Sequence, residues 1–337
     1  MAERHGKYTV RLQNSPSVVG FASVASKKES DGPMARYFDI LNQDSLFGQN
    51  SWEKAESVMQ QQSLQKALTK SSLTTNDIQY LFAGDLLNQC SASHYGMRES
   101  NIPFFGIYGA CSTMVESLTL ASVFVACGIS RYSAAVTSSH FCSAERQYRF
   151  PLEYGGQRTP TSQWTVTASG AAIVGTHHNP PYVKAFTTGI IEDLGVADLN
   201  NMGAAMAPAA ATTIKNFLND TKTIPDNYDL ILTGDLAYVG SELLYDLLQR
   251  DGFDIQKKHT DCGLLIYDRK NQDVGSGGSG CGCCAAVLCS HIMQSIQKGL
   301  LNNVLVCATG ALMSPVSIQQ GESIPGIAHL IHLSSME

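Results

Sequence analysis

Short apolar runs alternate with longer segments of helical spacing along most of the chain. Residues 78–87 form an apolar run of strand length, and residues 52–70 before them carry apolar side chains on one side of a helix. Residues 104–108, an apolar segment ending at Gly128, and residues 133–139 then predict strand, helix and strand. Since such a unit joins parallel strands, we expect an α/β protein with parallel strand pairing.

The turn Gly109-Ala110-Cys111-Ser112 lies between the first of these strands and the apolar helix. We expect the helix to begin at this turn, with Cys111 at its start. Free backbone N–H groups and the positive end of the helix dipole at such a position either lower a thiol pKa or hold an anion. Cys111 is therefore a candidate nucleophile or part of an anion site, although a small buried residue is the commoner role of such a cysteine.

The second half of the chain repeats the pattern of the first. Residues 228–236 resemble residues 78–86, including a shared Gly-Asp-Leu, and the glycine-rich residues 275–282 lead into an apolar helix that ends near Gly299. An internal duplication explains this. We place the halves at residues 1–178 and 179–337, within one compact unit. Ligands in such proteins bind where the carboxyl ends of the strands meet, so Cys111 and the glycine-rich loop should lie at one seam.

Composition narrows the class of protein. With 44% hydrophobic and 15% charged residues, the 337-residue chain is typical of a globular protein. A net charge of -6 and the lack of a basic stripe argue against nucleic acid as a partner. We see no secretory signal and no apolar segment long enough to span a bilayer. The ten cysteines therefore indicate reduced thiols in a cytoplasm-like compartment.

The sequence shows no complete metal-binding or cofactor-binding motif. The cysteines at positions 281, 283, 284 and 289 lack the second ligand pair of a zinc site. The glycines of residues 275–282 match neither a P-loop nor the dinucleotide-binding fingerprint. We therefore expect no metal and no cofactor, and a tight turn against the central helix at these glycines.

Several motifs resemble known families. The Gly109–Ser112 turn and residues 168–175 are similar to the type III ketoacyl synthases of the thiolase superfamily. Residues 108–116, 138–151 and 158–165 more closely resemble the stage V sporulation protein AD family of spore-forming bacteria. The resemblance covers nearly the whole chain. It implies an α/β thiolase-like fold, with two duplicated β/α halves stacked as a five-layered αβαβα sandwich.

The resemblance also implies a function. It indicates a protein that binds dipicolinic acid, pyridine-2,6-dicarboxylate, usually as its calcium chelate, and that supports uptake of this ligand into the developing spore. Enzymes of the superfamily pair the cysteine with two His, or a His and an Asn. The matching places here hold Gly234-Asp235 and Ser279-Gly280, and an anionic Asp235 would raise the pKa of the Cys111 thiol. We therefore expect a non-catalytic protein; the alternative is an acyl-transferring condensing enzyme that uses Cys111.

A dicarboxylate site needs cationic or N–H donors and a flat surface for the ring. The segment after residue 139 supplies His140, Arg146 and Arg149 among aromatic residues. The predicted ligand-binding residues are Cys111, His140, Glu145, Arg146, Arg149, Asp235, Gly278 and Ser279. Alternatively, the two arginines pair with Glu145 and Glu153 on a solvated loop, and His140 is a hydrogen-bonded core residue.

Family analogy further predicts a homodimer. The expected partners are dipicolinic acid and the integral membrane proteins of the same spore transport system. The expected location is the forespore or spore, with peripheral association with the inner spore membrane. A scaffold that only docks membrane partners, with an empty pocket, is a third alternative.

Overall fold

The computed structural model describes residues 2–149, 156–176 and 179–337. The strands of the first half are β1 (Ala2–His5), β2 (Thr9–Leu12), β3 (Ser17–Ala25), β4 (Ile40–Leu41), β5 (Tyr80–Gly84), β6 (Phe104–Gly106), β7 (Tyr132–Ser139), β8 (Trp164–Thr165) and β9 (Ala168–Gly175). Its helices are α1 (Lys27–Ser30), α2 (Trp52–Lys70), α3 (Ser91–Met97), α4 (Thr113–Ala126) and α5 (Phe141–Tyr148).

The second half has an equivalent set of elements. Its strands are β10 (Tyr182–Thr187), β11 (Leu230–Thr233), β12 (His259–Asp261), β13 (Gly278–Ser279), β14 (Asn303–Ala311) and β15 (Gly326–Ser334). Its helices are α6 (Met202–Thr221), α7 (Ala237–Arg250), α8 (Cys262–Leu265), α9 (Cys281–Val287), α10 (Met293–Gln297) and α11 (Pro315–Gln319). A π-helical segment, Leu288–Ile292, joins α9 to α10.

The strand order repeats between the halves. The first sheet runs β6-β5-β7-β9-β3, and the second runs β12-β11-β14-β15-β10. In each, the second strand is parallel to both neighbours and the fourth is antiparallel to the third. β6 and β7 are thus both parallel to β5 but do not pair with each other. The sheets meet where Ser17 of β3 pairs with Tyr182 of β10.

The layers follow from which helix covers which sheet. α2 packs on the outer face of the first sheet, and α6 and α7 cover the second. α4 lies between the sheets and contacts β5 and β7 on one side and β14 and β15 on the other. α9 lies beside α4, and its side chains share one apolar core with both sheets. The predicted five-layered, thiolase-like αβαβα arrangement is confirmed.

The central helix is apolar on nearly all sides because it is enclosed. α4 buries Met114, Val115 and Leu118 against the sheets and ends shortly before Gly128, whose φ of +72° lies in the left-handed region. The predicted end of this helix is confirmed. No helix in the described ranges is both long and apolar enough to cross a membrane.

The division of the chain at residues 178 and 179 stays a prediction. Residues 177–178 lie outside the described residues, and the second half is first seen clearly in β10. Phe150 and Pro151 of the second motif, and Glu153, likewise lie outside them.

Candidate functional site

Cys111 lies two residues before α4, in a tight turn. Ala110 before it has a φ of +50°, which is costly for a residue with a side chain and is typical of functional turns. The Ser112 N–H donates to the carbonyl of Gly109 (3.1 Å), and the Thr113 N–H donates to that of Ala110 (3.4 Å). The turn itself thus uses these two N–H groups, and an anion at the helix start stays a prediction.

The turn lies at the seam between the halves. A Cβ atom at Gly310 of β14 would be 2.6 Å from the Gly109 carbonyl oxygen, so only glycine allows this approach. Ser279 and Gly280 reach the same place from the second half, where Gly280 precedes α9 with a φ of +98°. The predicted meeting of Cys111 with the glycine-rich loop is confirmed.

Asp235 gathers the second-half residues at this seam. Its carboxylate accepts hydrogen bonds from the hydroxyl of Thr309 (2.7 Å), the backbone N–H of Gly280 (2.9 Å) and the hydroxyl of Ser279 (3.1 Å). Asp235 is fully buried, and burial raises its pKa. Its negative charge also acts on the nearby Cys111 thiol. One carboxylate therefore joins β14, the glycine-rich loop and the start of α9.

The surroundings of the Cys111 thiol disfavour its ionised form. The side chain is buried, and burial, followed by the negative charge of Asp235, raises the pKa of the thiol well above its ordinary value. This is the opposite of the shift that activates a cysteine nucleophile. At neutral pH Cys111 is a protonated thiol beside the charge of Asp235.

A small cavity of about 30 Å³ lies against Cys111. Its lining consists of Leu86, Tyr108, Ala110, Cys111, Ala144, Tyr148, Arg149, Thr165, Met202, Ser279, Ala311 and Met313. None of these residues, all within the described ranges, is a histidine. A groove of about 510 Å³ lies outside and shares Tyr108, Tyr148 and Met313 with the cavity. The hydroxyls of Tyr108 and Tyr148 are 2.9 Å apart, so the two tyrosines form the wall between cavity and groove.

A buried group of charges stands beside the cavity. Arg149, only 5% exposed, forms an ion pair with Glu145, and Arg158 lies 2.9 Å from the same Glu145 oxygen. Thr165 donates to that oxygen as well (3.2 Å). The Nε of Arg149 has no hydrogen-bond partner among the described residues. Two guanidinium groups share one carboxylate, which leaves an excess positive charge.

The structure separates the other predicted residues from this cavity. Arg146 is 49% exposed and pairs with Glu53 over the ring of Trp52, because α5 turns it away from Arg149. His140 accepts from the Cys142 N–H through Nδ1 (3.2 Å), and its Nε2 lies 2.9 Å from the Ser45 carbonyl. His140 is thus the hydrogen-bonded residue that we gave as the alternative to a ligand-binding role, and it lines another cavity. Gly278 packs on α8 and does not line the cavity.

The residues predicted from the sequence do not include Tyr108, Tyr148 and Met202, which line the cavity, or Arg158, which pairs with Glu145 beside it. The first two stand in motifs that resemble the sporulation family, yet their spacing gives no sign that their hydroxyls meet. Arg158 stands in the third such motif. Its partner is Glu145, and only the opposite charge of that residue pointed to the pair in the sequence. Arg149 directly follows α5 and pairs with Glu145, as the alternative had it, but this pair is buried and not solvated.

A second buried carboxylate, Glu56, predicts a pH effect on stability. It accepts hydrogen bonds from the hydroxyls of Ser138 (2.9 Å) and Ser143 (3.0 Å), and burial together with nearby Asp85 raises its pKa to about 8. A carboxyl with a raised pKa in the folded state stabilises the fold at low pH and loses that contribution as the pH rises towards 8. Between pH 5 and 8, we expect the stability of the native protein relative to Glu56→Gln to fall, by up to about 1.4 kcal/mol per pH unit.

Urea unfolding at a series of pH values measures this difference. Exposed Glu99, changed to Gln, is the control and should leave the pH profile unaltered. Parallel profiles for the native protein and Glu56→Gln would contradict the assignment of the raised pKa to Glu56.

Comparison with known proteins agrees with this geometry. Among solved structures, the 3-oxoacyl-[acyl-carrier-protein] synthase III from Aquifex aeolicus VF5 superposes with a TM-score of 0.56 at 11% identity, covering 95% of this chain and 99% of that one. A variant of OleA from Xanthomonas campestris superposes with a TM-score of 0.61 at 12% identity, covering 96% of this chain and 99% of that one. At such identities these likenesses show a common fold alone.

Sequence comparison goes further. The chain is 46% identical over 324 residues to the stage V sporulation protein AD of Bacillus subtilis strain 168, covering 96% of both chains. The family model described as stage V sporulation protein AD matches residues 6–334. The fold, the cysteine turn and these two matches together establish that the chain belongs to the stage V sporulation protein AD family.

Proposed function

We propose that the protein binds dipicolinate in the cavity beside Cys111 and supports uptake of this ligand into the developing spore. The observation that carries the proposal is the buried cationic group of Arg149, Glu145 and Arg158. Two guanidinium groups around one carboxylate leave a positive charge that an anion would neutralise, and Arg149 keeps one N–H without a described partner. Guanidinium groups suit carboxylates because both are planar and pair through two hydrogen bonds.

Binding requires the cavity to widen. Its volume of about 30 Å³ suits one or two water molecules, whereas an engineered cavity that binds benzene measures about 150 Å³. The wall formed by Tyr108 and Tyr148 is the natural place to open, since the outer groove lies directly behind it. Tyr148 also donates to the carbonyl of Leu86, so opening exchanges two hydrogen bonds for contacts with the ligand.

Isothermal titration calorimetry tests the proposal. The purified protein is titrated with dipicolinate, alone and with an equal amount of calcium, which enters here as cargo and not as a resident cofactor. We expect saturable binding with one ligand in this cavity, and competition by pyridine-2,6-dicarboxylate analogues only when both carboxylates are present. An absence of binding at millimolar ligand, with and without calcium, would overturn the proposal.

We infer that the protein does not catalyse condensation, since Cys111 is a protonated thiol facing Asp235. The alternative, an acyl-transferring enzyme, is favoured by the common fold with the synthases and makes a distinct prediction. Intact-mass spectrometry after incubation with acyl-CoA would then detect an acyl adduct that Cys111→Ala abolishes. We expect the unmodified mass, and an adduct on Cys111 would decide for the enzyme.

The protein is further proposed to form a homodimer through β6, the edge strand of the first sheet. Phe105 of this strand is 45% exposed although it stacks on Phe82 (ring centroids 5.1 Å apart). We expect Phe105→Lys to convert a dimer into a monomer in sedimentation velocity. The matched control is Leu300→Lys, which changes a more exposed apolar side chain elsewhere. A native protein that sediments as a monomer would refute the dimer.

The family name places the protein in sporulation, and we propose a location in the forespore or spore. Because uptake crosses a membrane, we also propose peripheral association with integral membrane proteins of the same transport system. The alternative is a scaffold that binds no ligand. Such a protein would capture these partners from spore membranes, while calorimetry would detect no binding of dipicolinate.

A further inference from the structure

A second cavity, of about 360 Å³, lies on the other side of β8. It is lined by Ser26, Lys27, Lys28, Glu29, Asp31, Ser45, His140, Phe141, Cys142, Trp164 and Thr167. It shares no lining residue with the Cys111 cavity. The two cavities are separated because neighbouring strand residues point to opposite sides: Trp164 lines this one and Thr165 lines the other.

A flat aromatic surface forms one wall of the second cavity. The rings of Trp164 and Phe141 are stacked, with centroids 3.9 Å apart and planes 11° from parallel. The Lys28 ammonium lies 3.9 Å from the centroid of the Trp164 ring. Among the described residues, Lys28 makes no ion pair within 4.0 Å, and partial burial lowers its pKa. A cation is thus held over an indole ring without an anionic partner in contact.

Two buried polar atoms in the lining also lack partners. Ser26 Oγ and Glu29 Oε2 have no hydrogen-bond partner among the described residues, and both side chains are almost fully buried. The other oxygen of Glu29 is occupied by the Thr167 N–H (3.0 Å) and the Tyr267 hydroxyl. Leaving such atoms unpaired costs about 1–3 kcal/mol each. Because burial raises the pKa of Glu29, its free oxygen is suited to carry a proton and donate it.

His140 does not compete for a ligand here, since both of its ring nitrogens are engaged within the protein. The groups left open are one ammonium, one hydroxyl, one carboxyl and an aromatic face. The ammonium and the hydroxyl are donors, and the carboxyl is a donor when it carries a proton, so a single carboxylate can accept from all three. A compact phosphate dianion fits less well, because it would leave the indole face unused.

We propose that the second cavity binds a planar aromatic carboxylate. The ring stacks on Trp164 in place of the Lys28 ammonium, which moves aside and pairs with the carboxylate. Ser26 donates to the same carboxylate, and Glu29 does so when it carries a proton. The two cavities share no lining residue, and Arg158 lies between them: it pairs with Glu145 beside the Cys111 cavity and is 5.0 Å from the centroid of the Trp164 ring.

Tryptophan fluorescence tests this site directly. The chain contains two tryptophans, Trp52 and Trp164, so Trp52→Phe leaves Trp164 as the single reporter. Titration with benzoate should quench Trp164 in a saturable manner. Ser26→Ala should weaken binding about tenfold, as expected for a lost hydrogen bond to a charged group. Lys28→Met should weaken it further, whereas exposed Lys257→Met is the matched control and should have no effect.

The outcomes distinguish the two sites. Arg149→Met should leave the quenching of Trp164 by benzoate unchanged, even if it changes the affinity for dipicolinate. Quenching that Arg149→Met abolishes and Ser26→Ala does not would place the ligand in the Cys111 cavity and overturn the proposal. A lack of saturable quenching would show that the second cavity holds water only, which also overturns it. If Trp52→Phe fails to fold, calorimetry of benzoate binding with and without Ser26→Ala gives the same decision.

Discussion

Replacement of Arg149 by methionine is expected to weaken dipicolinate binding by at least about thirtyfold. Truncation of one partner in a buried, hydrogen-bonded charge pair costs about 2–5 kcal/mol, and the lower value corresponds to that factor. Methionine retains much of the length of the side chain and removes the charge. Glu145 keeps Arg158 as a partner, so the buried carboxylate is not left alone. Calorimetry measures the affinity, and thermal unfolding checks that the variant is folded.

Arg146→Met is the matched control for this prediction. Arg146 stands three residues earlier in the chain, within α5, but it is half exposed and pairs with Glu53. Exposed pairs of this kind contribute about 1 kcal/mol or less to stability, and Arg146 does not line the cavity. We expect its affinity for dipicolinate to equal that of the native protein. Equal losses from both substitutions would show that binding depends on overall charge and not on the cavity.

Replacement of Asp235 by alanine is expected to lower the free energy of unfolding by about 3 kcal/mol or more. Thr309, Ser279 and Gly280 would each keep a buried donor without an acceptor, and each such donor costs about 1–3 kcal/mol. Asp235→Asn keeps one acceptor oxygen, so its free energy of unfolding should fall by less than that of Asp235→Ala. The measurement is urea unfolding, compared through the midpoint at constant slope.

Asp251→Ala provides the control for this second prediction. Asp251 forms an ion pair with Lys215 at the surface (2.9 Å), and its removal should change stability by about 1 kcal/mol or less. If Asp235→Ala were as stable as the native protein, the carboxylate would not be what holds Thr309, Ser279 and Gly280 together. The second half would then rest there on apolar packing.

The two arginines show where prediction from sequence reaches its limit. Arg146 and Arg149 are three residues apart in one polar motif, and their shared chemistry suggested a shared role. Arg149, directly after α5, points into the protein, whereas Arg146 on α5 pairs with Glu53 at the start of α2. The partner and the exposure of each side chain depend on elements distant in sequence. The same reason applies to His140, which we predicted to bind the ligand. Its Nε2 instead hydrogen-bonds to the Ser45 carbonyl.

By contrast, Asp235 was placed correctly beside Cys111. The repeat of Gly-Asp-Leu and the glycine-rich loop locate the carboxyl ends of strands in both halves, and a duplicated sheet brings those ends together. What sequence could not supply was the number of donors around the carboxylate. The donors from Thr309, Ser279 and Gly280 converge only after β14 and α9 are packed against the cysteine turn.

The sequence by itself determined the α/β class, the limits of the central helix, the repeat of the halves and the family. These follow from apolar periodicity, turn residues and motifs, which act over a few residues at a time. The tertiary structure alone decided which arginine is buried, that Cys111 faces a carboxylate, and that the Trp164 cavity is separate from the Cys111 cavity. Burial and pKa depend on every element packed around a group, and that environment exists only once the two halves are stacked.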